Sequence, residues 1–225
     1  MKLLKSTIPE VKVHKTSDLC ELDGFASLHA YGHIGLSGFI EATDIPPLNY
    51  FQGLYWQDVS GIFTGISSAR ARSISVQESR NASNAQLHAL AAKVHGFVRS
   101  MLEAADSPSA NYMVNRPLPI PNKLEAGGYV EPHADGISCH VYVASLALHG
   151  IGLPAIRLGV DQNAENWDEY ENEMTYQQDP GDLMIYACDI RDASNVQATL
   201  NHHEVKLPDN SLGRHTLVVA GACTS

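Results

Sequence analysis

Two side chains that commonly bind metal ions stand close together near the middle of the chain. His133 and Asp135 are separated only by Ala134. In an extended chain, side chains two residues apart point to the same face, so the imidazole and the carboxylate would meet at one point. An H-x-D triplet also arises by chance, and its alternative interpretation is a surface histidine beside a turn aspartate. The triplet becomes informative when a third ligand is found elsewhere.

Adjacent histidines later in the chain supply candidates for that third ligand. His202 and His203 stand next to each other, and Arg214 follows His203 by eleven residues. Two histidines and one carboxylate form a set that leaves three coordination positions open, which suits ferrous iron and oxygen activation. We choose His203 because of its spacing to Arg214, and His202 is the alternative ligand.

Arg214 and Thr216 are candidates for binding a carboxylate. A turn-rich segment predicts a hairpin between residues 203–207 and 214–220. If His203 faces inward, Arg214 and Thr216 can face the same cavity. A guanidinium inside a barrel is costly without an anion, and no acid on this strand is an obvious partner. A ligand carboxylate would solve this through a bidentate contact to the arginine, supported by the threonine hydroxyl.

The order of these motifs resembles the Fe(II)- and 2-oxoglutarate-dependent oxygenases. The matching residues are His133, Asp135, His203, Arg214 and Thr216. Two flanking segments, 127–132 and 180–186, also look like the turns and strands that lead into the two histidine motifs of that family. The resemblance covers roughly residues 120 to 221, and the N-terminal half matches no family pattern. The stretch between Asp182 and His203 is longer than the family's, so residues 189–199 are predicted to form an active-site loop.

The resemblance implies a fold, a cofactor and a reaction. The fold is mainly β with flanking helices, around a double-stranded β-helix, the jelly roll of cupin-like proteins. Fe(II) would be held by His133, Asp135 and His203, and the co-substrate 2-oxoglutarate would rest its distal carboxylate on Arg214 and Thr216. With O2, such an enzyme oxidises its substrate and releases succinate and CO2. The carboxylate at position 135 favours hydroxylation, desaturation or ring formation over halogenation, because halogenating relatives have a small residue there.

Substrate contacts are expected just before the H-x-D motif, on a stretch that often lines the pocket in this family. The candidates are Tyr112, Asn115, Arg116 and Asn122. We expect a small molecule or an amino acid as substrate, with a protein side chain as the runner-up. Residues 161–173 carry six acids and no base, and are interpreted either as a solvated connection or as a lid.

The elements that position these residues are one helix and a series of strands. A helix is predicted over residues 83–105, where apolar residues recur at helical spacing. His88 and His95 on this helix are interpreted as surface or groove residues. Residues 8–80 are predicted to form short strands and turns. Further strands are predicted over residues 128–133, 138–148, 155–160, 182–188, 202–207 and 214–220.

Composition narrows the class of protein. The length of 225 residues predicts one domain, 1–225, with strands and a support helix in residues 1–110 and the catalytic core in 111–225. A net charge of −10 argues against nucleic acid as a partner. Four dispersed cysteines and the lack of a long apolar stretch predict a cytoplasmic protein that does not enter membranes. Oligomeric state stays open. The alternatives are a cupin-like metalloenzyme that does not use 2-oxoglutarate, and a non-catalytic jelly-roll binding module.

Overall fold

The computed structural model describes most of the chain as strands and helices. The described residues are 13–58, 71–76, 85–133, 140–157, 173–200, 202–207 and 212–222. The helices are α1 (Glu21–Tyr31), α2 (Leu48–Gln52), α3 (Ala85–Ala104) and α4 (Ser109–Tyr112). The strands before α3 are β1 (Val13–Lys15), β2 (His33–Ser37), β3 (Gln57–Asp58) and β4 (Ala71–Val76). The later strands are β5 (Leu118–His133), β6 (His140–His149), β7 (Leu153–Arg157), β8 (Glu173–Thr175), β9 (Leu183–Ala187), β10 (His202–Lys206) and β11 (Arg214–Ala222).

The strands form one curled sheet with the order β1-β2-β9-β6-β11-β5-β10-β7-β8, and β3 and β4 extend from β5. The long strand β5 joins two layers, because its first half pairs with β11 and its second half pairs with β10. One layer therefore contains β9, β6, β11 and the start of β5, and the other contains the end of β5, β10, β7 and β8. This is the strand order of a double-stranded β-helix, so the predicted mainly β fold with a jelly-roll core is confirmed.

The predicted hairpin between residues 203–207 and 214–220 is wrong. β11 pairs with β5 from Arg214 opposite Leu124 onward, and β10 pairs with β5 from His203 opposite His133. The two strands therefore follow one another along the same partner and do not pair with each other. The 16-residue strand β5 offers enough backbone for both.

Antiparallel pairing gives the jelly roll two distinct ends. At the first end, which we call the histidine end, β5 finishes at His133, and the backbones of His202 and Arg157 pair. At the opposite end, the arginine end, β11 begins at Arg214. The connections there pack tightly: a Cβ added to Gly150 would overlap the carbonyl oxygen of Gly213. Of the candidate site residues, His133, His203, Arg214 and Thr216 are buried between the two ends.

The main hydrophobic core lies between the helices and one face of the sheet. Leu217 and Val219 on β11 belong to this core, together with Val94 and Val98 of α3. Side chains alternate along a strand, so Arg214 and the other even-numbered residues of β11 point to the opposite face, the interior of the jelly roll. None of the described helices is both long and apolar enough to span a membrane.

The helix predicted over residues 83–105 is confirmed as α3, although residues 83 and 84 lie outside the described part. His88 is exposed as expected. The surface interpretation of His95 is wrong, because this side chain is buried and its Nδ1 lies 3.0 Å from the hydroxyl of Tyr142. The sequence of the helix does not show that a buried residue of the sheet, Tyr142, contacts it.

The prediction of only strands and turns in residues 8–80 is wrong at α1 and α2. α1 buries just Gly24, Phe25 and Leu28, so its apolar face is too narrow to give a strong helical period. It ends at Tyr31 and is capped by Gly32, which has a left-handed φ of 72° and donates its N–H to the carbonyl of Leu28 at 2.9 Å. β2 falls in the same region, as predicted for a short apolar strand.

Candidate active site

Two buried histidines lie side by side at the histidine end. His133 is the last residue of β5, and His203 pairs with it from β10. Their ring centroids are 4.4 Å apart, and the side chains are 8% and 5% exposed, respectively. Imidazole nitrogens from neighbouring strands can thus reach a common ligand. Such nitrogens suit iron, zinc, copper or nickel, so the pair fits a metal ion without selecting one.

Asp135, the predicted carboxylate ligand, lies outside the described residues, and so does the side chain of His202. Within the described ranges, no group of three histidine, cysteine or acidic residues could hold a metal ion. The structure therefore brings two of the predicted ligands together. The buried position of His203, paired with His133, favours His203 as the distal ligand.

Tyr186 packs on the candidate ligand His203. It lies on β9, in the other layer of the jelly roll, and its ring stacks on the His203 ring at 3.8 Å with an interplanar angle of 9°. The contact therefore crosses the interior and fixes one face of the imidazole. Sequence reasoning placed Tyr186 only in a motif that precedes the distal histidine, since nothing in the sequence shows which residues meet across the interior.

Arg214 is a buried cation with an unusual environment. Its side chain is 2% exposed, and Nη2 donates a hydrogen bond to Oε1 of Gln178. Within the described part of the chain, Nε has no hydrogen-bond partner and no acid forms an ion pair with the guanidinium. Burial lowers the pKa of Arg214 from its ordinary value to about 10, while the nearby phenols of Tyr186 and Tyr176 act to raise it. The group is therefore charged at neutral pH and can bind an anion.

Thr216 and Asn122 lie beside Arg214 on the same face. Thr216 is 8% exposed, and Asn122 sits directly opposite it on β5. Among the described residues, Oδ1 of Asn122 is buried without a hydrogen-bond partner. The amide can present either its oxygen or its nitrogen, because the two are exchanged by rotation of the group. A hydroxyl, an amide and a guanidinium therefore share one face of the sheet, and this combination suits a carboxylate.

The other three predicted substrate contacts precede β5. Tyr112 ends α4 and is half-buried, and Arg116 is exposed. Asn115 is exposed, and its Oδ1 accepts a hydrogen bond of 3.1 Å from Arg99 of α3. Of the four candidates, Asn122 is the one that the structure brings beside Arg214 and Thr216.

A second layer of polar groups supports the arginine end. Oδ1 of Asp182 accepts a hydrogen bond from the backbone of Gly38 at 2.9 Å. Oδ2 accepts bonds from the hydroxyl of Tyr176 at 2.9 Å and from the backbone of Asp179 at 3.0 Å. Burial, followed by the hydrogen bond to Asp182, raises the pKa of Tyr176, so this phenol stays neutral. The buried carboxylate is thus satisfied by neutral donors.

Two connections flank the histidine end. Residues 189–199, predicted as an active-site loop, lie between β9 and β10 and form hydrogen bonds with α1 and α4. Thr199 donates to the carbonyl of His29 at 3.0 Å, and Ser109 Oγ donates to the carbonyl of Asp189 at 2.9 Å. The acidic segment 161–173 lies outside the described residues except for Glu173, whose backbone pairs with Arg157.

Comparisons with known proteins identify the fold. No protein-family model and no curated protein matches the sequence. The structure is similar to an oxidoreductase of the 2OG-Fe(II) oxygenase family from Burkholderia pseudomallei, with a TM-score of 0.60, 14% identity, and coverage of 95% of this chain and 97% of that chain. It is also similar to a prolyl-4-hydroxylase from Pseudomonas putida, with a TM-score of 0.57, 11% identity, and coverage of 92% and 100%.

A third similar structure is SnoN, a non-haem alpha-ketoglutarate-dependent epimerase from nogalamycin biosynthesis. Its TM-score is 0.57 at 12% identity, with coverage of 87% of this chain and 79% of that chain. The chain therefore has the jelly-roll fold of the 2OG-Fe(II) oxygenases, as the sequence motifs predicted. At these identities the likeness defines the fold, and the activity has to be argued from the residues of the site.

Proposed function

We propose that the chain is an Fe(II)- and 2-oxoglutarate-dependent dioxygenase that hydroxylates a small-molecule or amino-acid substrate and releases succinate and CO2. The observation that carries this proposal is the position of Arg214. A buried guanidinium without an acidic partner among the described residues lies in the same interior as a buried histidine pair. Tyr186 links the two, since it stacks on His203 and also influences the pKa of Arg214.

Each residue has a defined role in this proposal. His133, Asp135 and His203 would hold Fe(II), which supplies O2 activation when it is bound. Arg214 and Thr216 would receive the distal carboxylate of 2-oxoglutarate, and Asn122 would add an amide contact. Tyr186 would keep the His203 ring in one orientation. His133, His203, Arg214, Thr216 and Tyr186 are each at most 8% exposed, and this burial limits the access of water to them.

The rival functions leave the same features unexplained. A cupin-like metalloenzyme without 2-oxoglutarate has a use for the histidine pair but none for a buried Arg214 beside Thr216. A non-catalytic binding module would carry the cost of both buried groups without benefit. The epimerase among the similar structures is described as alpha-ketoglutarate-dependent, so product analysis has to separate hydroxylation from epimerisation. We further propose a cytoplasmic location and no nucleic-acid partner, in line with the net charge of −10.

The proposal is tested first by metal binding and succinate formation. We expect the purified protein to bind one Fe(II) per chain under anaerobic conditions, measured by calorimetry. On addition of O2 and 2-oxoglutarate, succinate should form, and mass spectrometry of a metabolite panel should reveal the oxidised product. His133→Ala, Asp135→Ala and His203→Ala should each abolish turnover. His88→Ala is the matched control, because His88 is exposed on α3, and it should leave turnover unchanged.

The co-substrate role of Arg214 needs its own test. Arg214→Ala should weaken 2-oxoglutarate binding on the order of 30-fold or more, since losing a buried charged contact costs about 2 to 5 kcal/mol. Fe(II) affinity should change little. Succinate formation that is indifferent to Arg214→Ala would instead support the cupin-like alternative.

A further inference from the structure

One β-bridge at the arginine end holds the guanidinium of Arg214. Gly152 and Gln178 pair through backbone hydrogen bonds of 2.9 Å and 3.2 Å. A Cβ added to Gly152 would overlap the guanidinium and lie 2.8 Å from Nε. Oε1 of Gln178 accepts the hydrogen bond from Nη2. The bridge thus supplies both the surface on which the guanidinium lies and the acceptor that sets its rotation.

The side chain of Gln178 is itself fixed. It is 1% exposed, and its Nε2 donates to the carbonyl of Ser145 at 2.6 Å and to the carbonyl of Asp182 at 3.0 Å. Both carbonyls can only accept hydrogen bonds, so the amide nitrogen must face them. The amide oxygen must therefore face Arg214. This pattern removes the usual ambiguity between the two ends of a glutamine amide.

The partner of the guanidinium is neutral, and this decides what the pocket can bind. Asp182 contacts Gln178 through its backbone carbonyl, which accepts a hydrogen bond from Nε2. Both carboxylate oxygens of Asp182 accept hydrogen bonds from neutral donors. A carboxylate at position 178 would form an ion pair with Arg214, and an incoming anion would have to compete with it. A neutral amide orients the cation but leaves its charge uncompensated among the described residues.

We propose that Gln178 is a positioning residue that makes this pocket selective for a 2-oxo diacid over a 2-oxo monoacid. It holds the guanidinium of Arg214 against Gly152, oriented toward the distal carboxylate, without supplying a counter-charge. This inference rests on the proposed function, because it takes the ligand to be 2-oxoglutarate. It adds a residue that acts through Arg214 and does not touch the metal.

The test compares two ligands on the Fe(II)-loaded protein under anaerobic conditions. Calorimetry measures the affinity for 2-oxoglutarate and for 2-oxobutyrate, which lacks the distal carboxylate. Gln178→Met keeps the length of the side chain but removes its acceptor. We expect 2-oxoglutarate to bind about 10-fold to 100-fold more weakly to this variant, since a hydrogen bond to a charged group is lost. The affinity for 2-oxobutyrate should stay within about twofold, which a general disturbance of the fold would not produce.

A second pair of variants makes the test independent of how well Gln178→Met folds. Gly152→Ala should displace the guanidinium and cause the same selective loss of 2-oxoglutarate affinity. Gly96→Ala is its matched control, because nothing lies within 4 Å of the added Cβ, and it should leave both affinities unchanged. Gln178→Glu should weaken 2-oxoglutarate binding still further by adding a competing carboxylate.

The outcomes separate this inference from the proposed function. If Gln178→Met and Gly152→Ala keep the wild-type preference for 2-oxoglutarate, or lose both ligands equally, the positioning role is overturned and the proposed function stands. If the wild-type protein binds 2-oxoglutarate no more tightly than 2-oxobutyrate, the proposed function itself fails. Selective loss of the diacid in both variants supports the inference.

Discussion

Replacing Arg214 with methionine should stabilise the ligand-free protein against unfolding. Burial lowers the pKa of this guanidinium from its ordinary value to about 10, so the folded protein holds the proton less tightly than the unfolded chain does. The resulting cost to stability is present in full below about pH 10 and is relieved as the pH rises from about 10 toward the ordinary pKa of arginine. At neutral pH the folded, ligand-free protein therefore carries the whole cost.

The size of the effect follows from the two pKa values and one hydrogen bond. A pKa lowered from the ordinary arginine value to about 10, at about 1.4 kcal/mol per pH unit, gives a cost on the order of 3 kcal/mol. Methionine removes this cost but leaves Oε1 of Gln178 without its donor, which costs about 1 to 2 kcal/mol. The net gain is about 1 to 2 kcal/mol, or about 2 to 8 °C in Tm for a chain of this size.

Thermal unfolding followed by circular dichroism at neutral pH, without metal or 2-oxoglutarate, measures this gain. Arg99→Met is the matched control, because Arg99 is half-exposed on α3 and donates a 3.0 Å hydrogen bond to the carbonyl of Met113. That variant should show no rise in Tm. A fall in Tm for Arg214→Met by several degrees would mean that the chain compensates this cation internally. The argument for a ligand carboxylate would then lose its basis.

Three further predictions concern the metal ligand, the pH dependence and the helix α3. His203→Ala should abolish Fe(II) binding in calorimetry while His202→Ala retains it; the reverse result would reassign the distal ligand and leave the oxygenase proposal intact. Burial, with smaller contributions from His149 and Lys123, lowers the pKa of His215 to about 4, so stability should fall as the pH decreases from 6.5 toward 4. In His215→Phe the free energy of unfolding, measured with urea, should depend less on pH. If it depends on pH as in the wild type, the assignment of this dependence to His215 is contradicted. Gly96→Ala should raise the free energy of unfolding by about 0.5 to 1 kcal/mol, because alanine favours the helix and meets no neighbour; a decrease would refute this.

Spacing along the chain predicted the long helix and most strands of the core, and the family resemblance implied the jelly roll. Alternating strands and a 3.6-residue period are local patterns, and most of the later strands and α3 lie where these patterns predict them. His133 with Asp135, and Arg214 with Thr216, could be recognised in the same way, because side chains two residues apart share a face of a strand. Their roles as metal and carboxylate ligands stay predictions, and the experiments above test them.

The pairing of elements was decided only by the tertiary structure. The hairpin predicted after His203 failed because β5 is long enough to pair with β10 and β11 in succession. The sequence of α1 shows no clear helical period, because the helix buries only three residues. Which residues are buried depends on the elements that pack against the helix.

The contacts of Tyr186 and Gln178 with the site residues were also decided only by the tertiary structure. One stacks on His203 across the interior, and the other reaches Arg214 from a separate connection. Neither contact has a signature in the sequence, because the partners are 17 and 36 residues apart along the chain and meet only when the two layers close. The sequence by itself therefore determined which chemical groups are present and on which strands they lie. The closure of the sheet determined which of them touch, and hence that the cation at position 214 is oriented by a neutral amide.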